Sequence, residues 1–527
     1  MGISLAHQDT FGNFLVDYNK ALQFTSGGLA REVTLPAIPP VGDSGFSVTG
    51  NTALSQAVDG KGNPWFLMFS VSSGGDNAYI PVLGVRNGSG VQSIGTVFAD
   101  DECITLGPDG NLWFWDFGPG PSFDDIFTKL DVQTGVITGT VADEVRFDTG
   151  TLITMPGSAN EGELWLASSE LIFGNYYAGI GKWSNLRSGV PIFSFRLASP
   201  LDPIFTARGS FNAPLCTSPD GQTFYSFGTR GPGRLGCLTQ GPATTGPLTT
   251  PPEVFDVSGF IWPTGTWTEI VQQYLAVNQS NGEIWVLTWF LTNDPITGHF
   301  LSFNNIQWLE PNLDTINEWL LPSFTPAFLT GEYANGLCLD KNGYAWVSMD
   351  AMDSGGNCLM RVHPNRVGPL AYDLIPAPNY DFYPGSPPNN VPPGEYNTNN
   401  FTNPVIGPDG NVWVGQDYTH INHPNDTVDA EWVTMWSCNV DTFALTQKMT
   451  PIPNPYFSGP GTGLPANPPA FITNTSLITG ASTVVPPTRQ KPRDDNLALG
   501  APRQRVGRGQ PSSVQSSYRQ GPRGSYS

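Results

Sequence analysis

The residues best suited to chemistry are few and scattered. His420 and His423 stand three apart in DYTHINHPND, flanked by Asp417 and Asp426. Neutral imidazoles and carboxylates are donors for transition metals, but a site needs a third ligand fixed by a rigid element. Polar loop chemistry ahead of Pro424 accounts for the same residues and is the simpler reading. A second group is acidic: Asp116, Glu170, Asp350 and Asp417 each follow a tryptophan-bearing strand, as cation ligands or as polar loop residues. A third group, Asp100, Asp101, Glu102, Asp148 and Glu332, stands just before apolar strands. Hard oxygens converging there would suit Ca²⁺ at an acidic mouth; solvated loop charge explains them more simply. No CxxC and no close Cys/His pair is present, so zinc is not expected. On these grounds no catalytic, cofactor or metal residue is assigned. Trp115, Trp289, Phe290, Tyr176, Tyr177 and Trp262 are aromatics that could stack on a sugar or anchor a partner. The last three fall in long insertions, and packing is the simpler role for all six.

What positions these residues is a repeat. GPDGNLWFWD begins at Gly107 and a near copy, GPDGNVWVGQ, at Gly407. The same pattern recurs around Trp65, Trp113, Trp165, Phe224, Trp285, Trp346 and Trp413, at intervals of 48 to 67 residues. The Asp/Asn-Gly step supplies the turn of a tight hairpin. An apolar strand precedes it, such as Leu337-Cys338-Leu339. The strand that follows is apolar at successive positions, as in Ile284-Trp285-Val286-Leu287. Successive side chains point to opposite faces, so such a strand must be covered on both. A third strand follows (IGKWSNLRSG, 180–189), then a fourth that ends in proline (EWLLP, 318–322; YDLIP, 372–376). Four antiparallel strands per unit around an axis make a β-propeller. The expected fold is all-β: one seven-bladed β-propeller of four-stranded antiparallel blades over 28–452, preceded by a segment 1–27. GLAREVTLP (28–36) resembles a fourth strand without a blade. Within it, Arg31–Leu35 is expected to complete the last blade or pair at its edge, although 443–449 already offers that blade a fourth strand.

The cysteines give a check. Cys216 and Cys237 fall in the first and third strands of one unit, Cys338 and Cys358 in those of another. Two strand spacings of about 4.8 Å put them beyond the ~7 Å reach of a disulfide. Free buried thiols are expected, as in a reducing compartment.

The turn GPDGNLWF, a strand ending D-x-x-T-G and a short strand ending in proline resemble the virginiamycin B lyase (streptogramin lyase) and NHL-type propellers, over about residues 30–452. The resemblance implies the fold. It would also imply histidine acid/base chemistry and a magnesium ion near the ring axis. None of the five histidines, His7, His299, His363, His420 and His423, falls in a first strand. His299, His420 and His423 are expected in hairpin loops between second and third strands, and His363 at the end of a third strand. No catalytic histidine therefore carries over.

Only 13% of the 527 residues are charged, and the net charge is −21. The final 489–527 segment is +6, with seven arginines and Lys491 against Asp494 and Asp495, which leaves −27 on the remainder. An acidic body repels phosphates, so nucleic acid is expected only through the tail. No apolar run reaches the ~20 residues of a membrane span. The N-terminus lacks the pattern of a secretory signal, and cytoplasmic synthesis is expected. Residues 453–488, rich in Pro, Gly, Ser and Thr, read as an extended segment. The tail has little to bury and is expected to be disordered when free. Its Arg503, Arg505, Arg508, Arg519 and Arg523 would form an arm that docks on an acidic neighbour. The expected partners are other structural subunits met through this extension, with a surface glycan or receptor as the alternative. The combination resembles propeller-bearing structural proteins of phage virions, at the tail or capsid surface. A non-enzymatic structural or recognition propeller is the leading expectation. A lyase or metal-dependent hydrolase and a carbohydrate-binding propeller are the alternatives.

Overall fold

The computed structural model describes strands and adjoining turns between Thr10 and Pro453. Outside the described residues lie 1–9, 454–527 and most longer connections, among them 35–47, 98–103, 198–214, 257–267, 294–299, 323–331, 379–394 and 423–426, together with many strand side chains. The fold is all-β and of the β-propeller type. The described residues form eight antiparallel sheets, numbered here in chain order: sheet 1 (10–34), sheet 2 (48–97), sheet 3 (104–142), sheet 4 (147–197), sheet 5 (215–256), sheet 6 (268–320), sheet 7 (332–376) and sheet 8 (395–453). Sheets 2 to 7 are four-stranded meanders. In sheet 8 the first position is split into Glu395–Phe401 and Val405–Ile406, both paired with Val412–Asn422. Pro404, without an N–H, lies at that break. Its outer position is likewise split, into Leu445–Gln447 and Ile452–Pro453.

The seven repeat units fall on sheets 2 to 8 in one register. Trp65, Trp113, Trp165, Phe224, Trp285, Trp346 and Trp413 are each the second residue of a second strand. The indoles of Trp113, Trp165, Trp285, Trp346 and Trp413 are fully buried. Burying one indole contributes about 4–6 kcal/mol as an upper figure. Both faces of these strands are covered, as the unbroken apolar runs require. Ile284 and Val286 pack with Cys216 and Tyr225 of sheet 5, while Trp285 and Leu287 pack with Leu337, Val347 and Met360 of sheet 7. Trp346 in turn faces the next sheet, onto Val412, Val414 and Trp436 of sheet 8, on the side of sheet 7 opposite Val347 and Met360. First strands meet along the inner side: Val48–Val58 with Ile104–Leu106, that strand with Phe147–Thr154, and Thr268–Val277 with Glu332–Leu339.

Sheet 1 departs from expectation. Thr10–Asp17, Lys20–Thr25 and Gly28–Thr34 pair as a three-stranded meander. The boundary expected before Gly28 runs through this sheet, and Gly28–Thr34 pairs with Lys20–Thr25 rather than completing the last blade. The outer place in sheet 8 is filled by the chain's own 445–453. Sheet 1 instead touches both ends of the series. Thr10–Asp17 lies against Val48–Val58 of sheet 2, and Gly28 meets the backbone of Lys448 in sheet 8. At Gly28 φ is +122°, and an added Cβ would lie 2.7 Å from the Lys448 carbonyl oxygen. Gly28→Ala is therefore expected to destabilise by about 1–3 kcal/mol. A shift of the urea midpoint would show it; an unchanged midpoint would mean that this contact closes nothing.

Two other placements correct the sequence reading. His420 lies within the strand Val412–Asn422, opposite Asn397 and Ala430, not in a hairpin loop. Tyr176 and Tyr177 lie in Asn175–Ser184, opposite Leu171 and Glu170, not in an insertion. In both cases the hydrogen-bonded hairpin continues past its apolar stretch into polar sequence. Cys216, Cys338 and Cys438 are free thiols and buried, and Cys358 is buried, whereas Cys103 and the Cys237 side chain are outside the described residues. Burial pushes the Cys438 thiol up to about 12, and those of Cys216 and Cys338 well above the ordinary value. Since the thiolate is the reactive form, these three should label on the order of a thousandfold slower than a free thiol at pH 8. Mass-spectrometric mapping of native labelling checks this; rapid labelling of Cys438 would contradict its burial.

Candidate functional site

The hairpin turns carry the densest polar chemistry of the described residues. In GPDGN the carboxylate of Asp109 accepts from Asn111 N (3.2 Å), Asn111 Nδ2 (3.1 Å) and Trp113 Nε1 (3.1 Å). Asp409 accepts the same three, from Asn411 N, Asn411 Nδ2 and Trp413 Nε1 at 3.1, 2.8 and 3.1 Å. Asp340, two residues further from its tryptophan, accepts from Asn342 N (2.8 Å), Tyr344 N (3.1 Å) and Trp346 Nε1 (2.9 Å). One side chain thus closes the turn and satisfies the buried indole N–H, which would otherwise be costly. The first glycine of the motif lies under the ring. A Cβ at Gly107 or Gly407 would come within 2.4 or 2.6 Å of the indole Cδ1.

A second residue type joins this lock from the third strand, at the position opposite the tryptophan. Lys129, Lys182 and Arg361 sit across from Trp113, Trp165 and Trp346. Lys129 Nζ is 2.7 Å from Asp109 Oδ2, and Lys182 Nζ is 3.0 Å from Glu163 Oε2 with both side chains fully buried. Lys182 also lies 4.6 Å from the Trp165 ring centroid, in the range of a cation–π contact. Where sheet 6 has Trp308 at this position, its Nε1 donates to Glu283 Oε2 at 3.1 Å. Burial works against the Asp109 carboxylate, but the hydrogen bonds from Lys129, Asn111 and Trp113 outweigh it and hold its pKa below 3.8. A depressed carboxylate contributes stability that is complete above its unfolded value near 4 and is lost as the pH falls through the lower folded value. Acid unfolding of the chain should therefore set in below about pH 4, and Asp109→Asn should flatten that dependence. Equilibrium denaturation between pH 5 and 2 measures it; identical pH profiles would remove Asp109 from the account.

The arrangement closest to an active-site constellation is on sheet 7. His363 Nε2 and Asp373 Oδ2 are 2.7 Å apart, and Arg361 donates to the same oxygen from Nε (2.9 Å) and Nη2 (2.6 Å). Burial opposes the Asp373 carboxylate, but the His363 and Arg361 hydrogen bonds hold it below the usual range. A carboxylate that orients an imidazole is the arrangement of a general base. Arg361, however, lies between the rings of Tyr344 (4.3 Å) and Phe443 (4.2 Å) and donates to Val440 O at 3.3 Å. The cluster thereby joins sheet 7 to sheet 8. The loop 363–371 also reaches back over sheet 6: Arg366 bonds Glu283 (2.5 Å) and Glu310 (2.6 Å), Asn365 O accepts from Asn317 Nδ2 (3.0 Å), and Gly368 O from Trp319 Nε1 (3.3 Å).

Of the residues singled out from sequence, Asp116, Glu170, Asp350 and Asp417 lie within second strands, three to five residues beyond the repeat tryptophan. Asp148 and Glu332 lie in first strands of sheets 4 and 7, while Asp100, Asp101 and Glu102 fall outside the described residues. So do His7, His299, His423, Trp262 and the tail arginines. Among the described residues, no three His, Cys, Asp or Glu side chains converge as a metal cluster. Sequence reading missed Lys129, Lys182 and Arg361. Their signal is a cation 15 to 17 residues after the repeat tryptophan.

The chain is similar in structure to dihydro-heme d1 dehydrogenase NirN, with 10% identity, TM-score 0.43, and coverage of 88% of this chain and 75% of that one. It is also similar to an ulvan lyase, with 12% identity, TM-score 0.36, and 67% and 85% covered. A third likeness is to an α-L-arabinofuranosidase from Fusarium graminearum, with 10% identity, TM-score 0.34, and 72% and 94% covered. No protein-family model and no curated protein matches the sequence.

Proposed function

We propose that the chain is a non-enzymatic propeller that works by recognition or assembly. The observation that carries this is where its charged groups are engaged. Asp109, Glu163, Glu283, Asp340, Asp373 and Asp409 each close a turn, satisfy an indole or join neighbouring strands and sheets. The acidic body and the +6 tail complement each other, so the arm bearing Arg503, Arg505, Arg508, Arg519 and Arg523 docks on another acidic subunit. A component of a virion tail or capsid surface is the assembly of this kind that the sequence resembles. Light scattering of the full chain against its quintuple Arg→Gln tail variant tests the arm. Association at low salt that is lost in the variant and in 0.5 M NaCl (about a 4–5 Å Debye length) is expected. Equal behaviour of the two chains would refute the docking arm.

The His363–Asp373 contact favours a second reading, a lyase or hydrolase that uses His363 as base. Turnover of a polyuronide or glycoside panel that disappears in His363→Ala would establish it. A divalent ion bound at one per chain would support the metal-dependent version.

A further inference from the structure

We infer that the outer edge of sheet 7 is completed by this chain's own segment 471–478, added as a fifth strand. The outer strand Tyr372–Pro376 pairs on one side, with Cys358–Val362. Among the described residues nothing pairs with its other side, so its outward backbone groups form a strand template. Its residues alternate. Ile375 is buried against sheet 8, whereas Tyr372 and Leu374 are 37% and 40% exposed. Val367, 91% exposed, stands on the strap beside it, which is anchored at Asn365, Arg366 and Gly368. Three of the six exposed large hydrophobics among the described residues thus belong to this one edge and its strap. The surface is preformed, so a peptide laid along it loses only its own entropy.

The occupant follows from where the described chain stops. Ile452–Pro453 pairs in sheet 8, next to sheet 7, and 74 residues follow. Gly28 meets the backbone of Lys448 beside sheet 8, and sheet 7 is the neighbour packed against sheet 8. The following sequence contains FITNTSLI (471–478), free of charge, rich in β-branched residues and bracketed by Pro468-Pro469 and Gly480. Alternation places Phe471, Thr473, Thr475 and Leu477 on one face, to lie with Tyr372 and Leu374. The 18 residues from Pro453 to Phe471 span up to about 60 Å, ample to reach a neighbouring sheet. A tethered segment acts at an effective concentration in the millimolar range, which favours the chain's own copy over a second one. The addition is main-chain pairing with side-chain pockets, as in other strand-addition complexes. It would hold the arginine tail at the rim of sheets 7 and 8. This inference does not rest on the proposed function, because an anchored extension serves an enzyme equally well.

Hydrogen–deuterium exchange on the full chain tests it. Amides of 471–478 should exchange at least about tenfold slower than those of 505–520, at a rate independent of protein concentration. Phe471→Lys with Leu477→Lys should abolish that protection and speed exchange in 372–376, leaving 284–293 unchanged. Leu374→Lys should release 471–478 in turn. If Leu374→Lys also exposes 284–293 of sheet 6, the fold beyond the edge has been damaged and the double variant alone decides. Exchange of 471–478 at the rate of an unstructured peptide would overturn the proposal. So would protection that survives Leu374→Lys in a folded chain, or protection that rises with concentration, which would mean a second copy.

Discussion

Trp346→Ala is expected to lower stability by about 3–5 kcal/mol, or to prevent the chain from accumulating in folded form. Three losses coincide at this site. The fully buried indole packs among Cys338, Leu359, Val412 and Trp436 at the junction of sheets 7 and 8. Its N–H is the partner of Asp340 Oδ2 at 2.9 Å, so its removal leaves a buried carboxylate oxygen without that donor. Arg361, 6.0 Å from the ring centroid and part of the bridge to Val440, loses one of its walls. Trp346→Phe separates the terms. It keeps most of the apolar volume and removes the N–H, and should cost about 1–3 kcal/mol. Asp340→Ala, which leaves the indole N–H unsatisfied, should cost a similar amount. Denaturant titrations followed by circular dichroism provide the comparison. A loss below 1 kcal/mol for Trp346→Ala would mean that the repeat indole does not hold the sheets together.

The second large effect is at sheet 4. Glu163 and Lys182 are completely buried and 3.0 Å apart. Burial pulls the Lys182 pKa down, and Glu163 only partly restores it. The pair is thus held against a desolvation cost, and each member needs the other. Lys182→Met leaves a carboxylate buried beside Trp165 without its cation and should cost about 3–5 kcal/mol. Glu163→Leu alone should cost a comparable amount. The double replacement removes both charges and should fall within about 1 kcal/mol of the parent, or above it. That reversal distinguishes a paired buried charge from packing. If the double variant loses the sum of the two singles, the contact is incidental and the sites are independent.

These effects show what was legible in the sequence. The repeat tryptophans were, because the tight turn and the indole are adjacent in the chain and one fixes the other. Ile284 to Leu287 announced a strand covered on both faces, and its two clusters with sheets 5 and 7 follow from alternation alone. The turn aspartates were legible as turn formers but not as indole acceptors. That role depends on the ring folding back over Gly107 or Gly407, which a hairpin signature does not contain. Lys182 and Arg361 were hidden because they act across a hairpin whose length varies from unit to unit. His363 was read as ending a third strand, and its partner Asp373 comes from the next strand over a loop that also serves sheet 6. Sheet 1 was missed for a different reason. TFGNFLVD and KALQFT form a hairpin without the Asp-Gly turn or a tryptophan, so a search keyed to the repeat passed over it.

That sheet makes the sharpest test of the whole account. A density map of the full chain, clear enough to place indoles, should show sheet 1 lodged between sheets 8 and 2 with Gly28 against the Lys448 carbonyl. It should also show each repeat aromatic as the second residue of its second strand. A map in which residues 10–34 lie elsewhere, or in which the sheets divide into two unrelated bodies, would contradict the architecture from which every conclusion above is drawn.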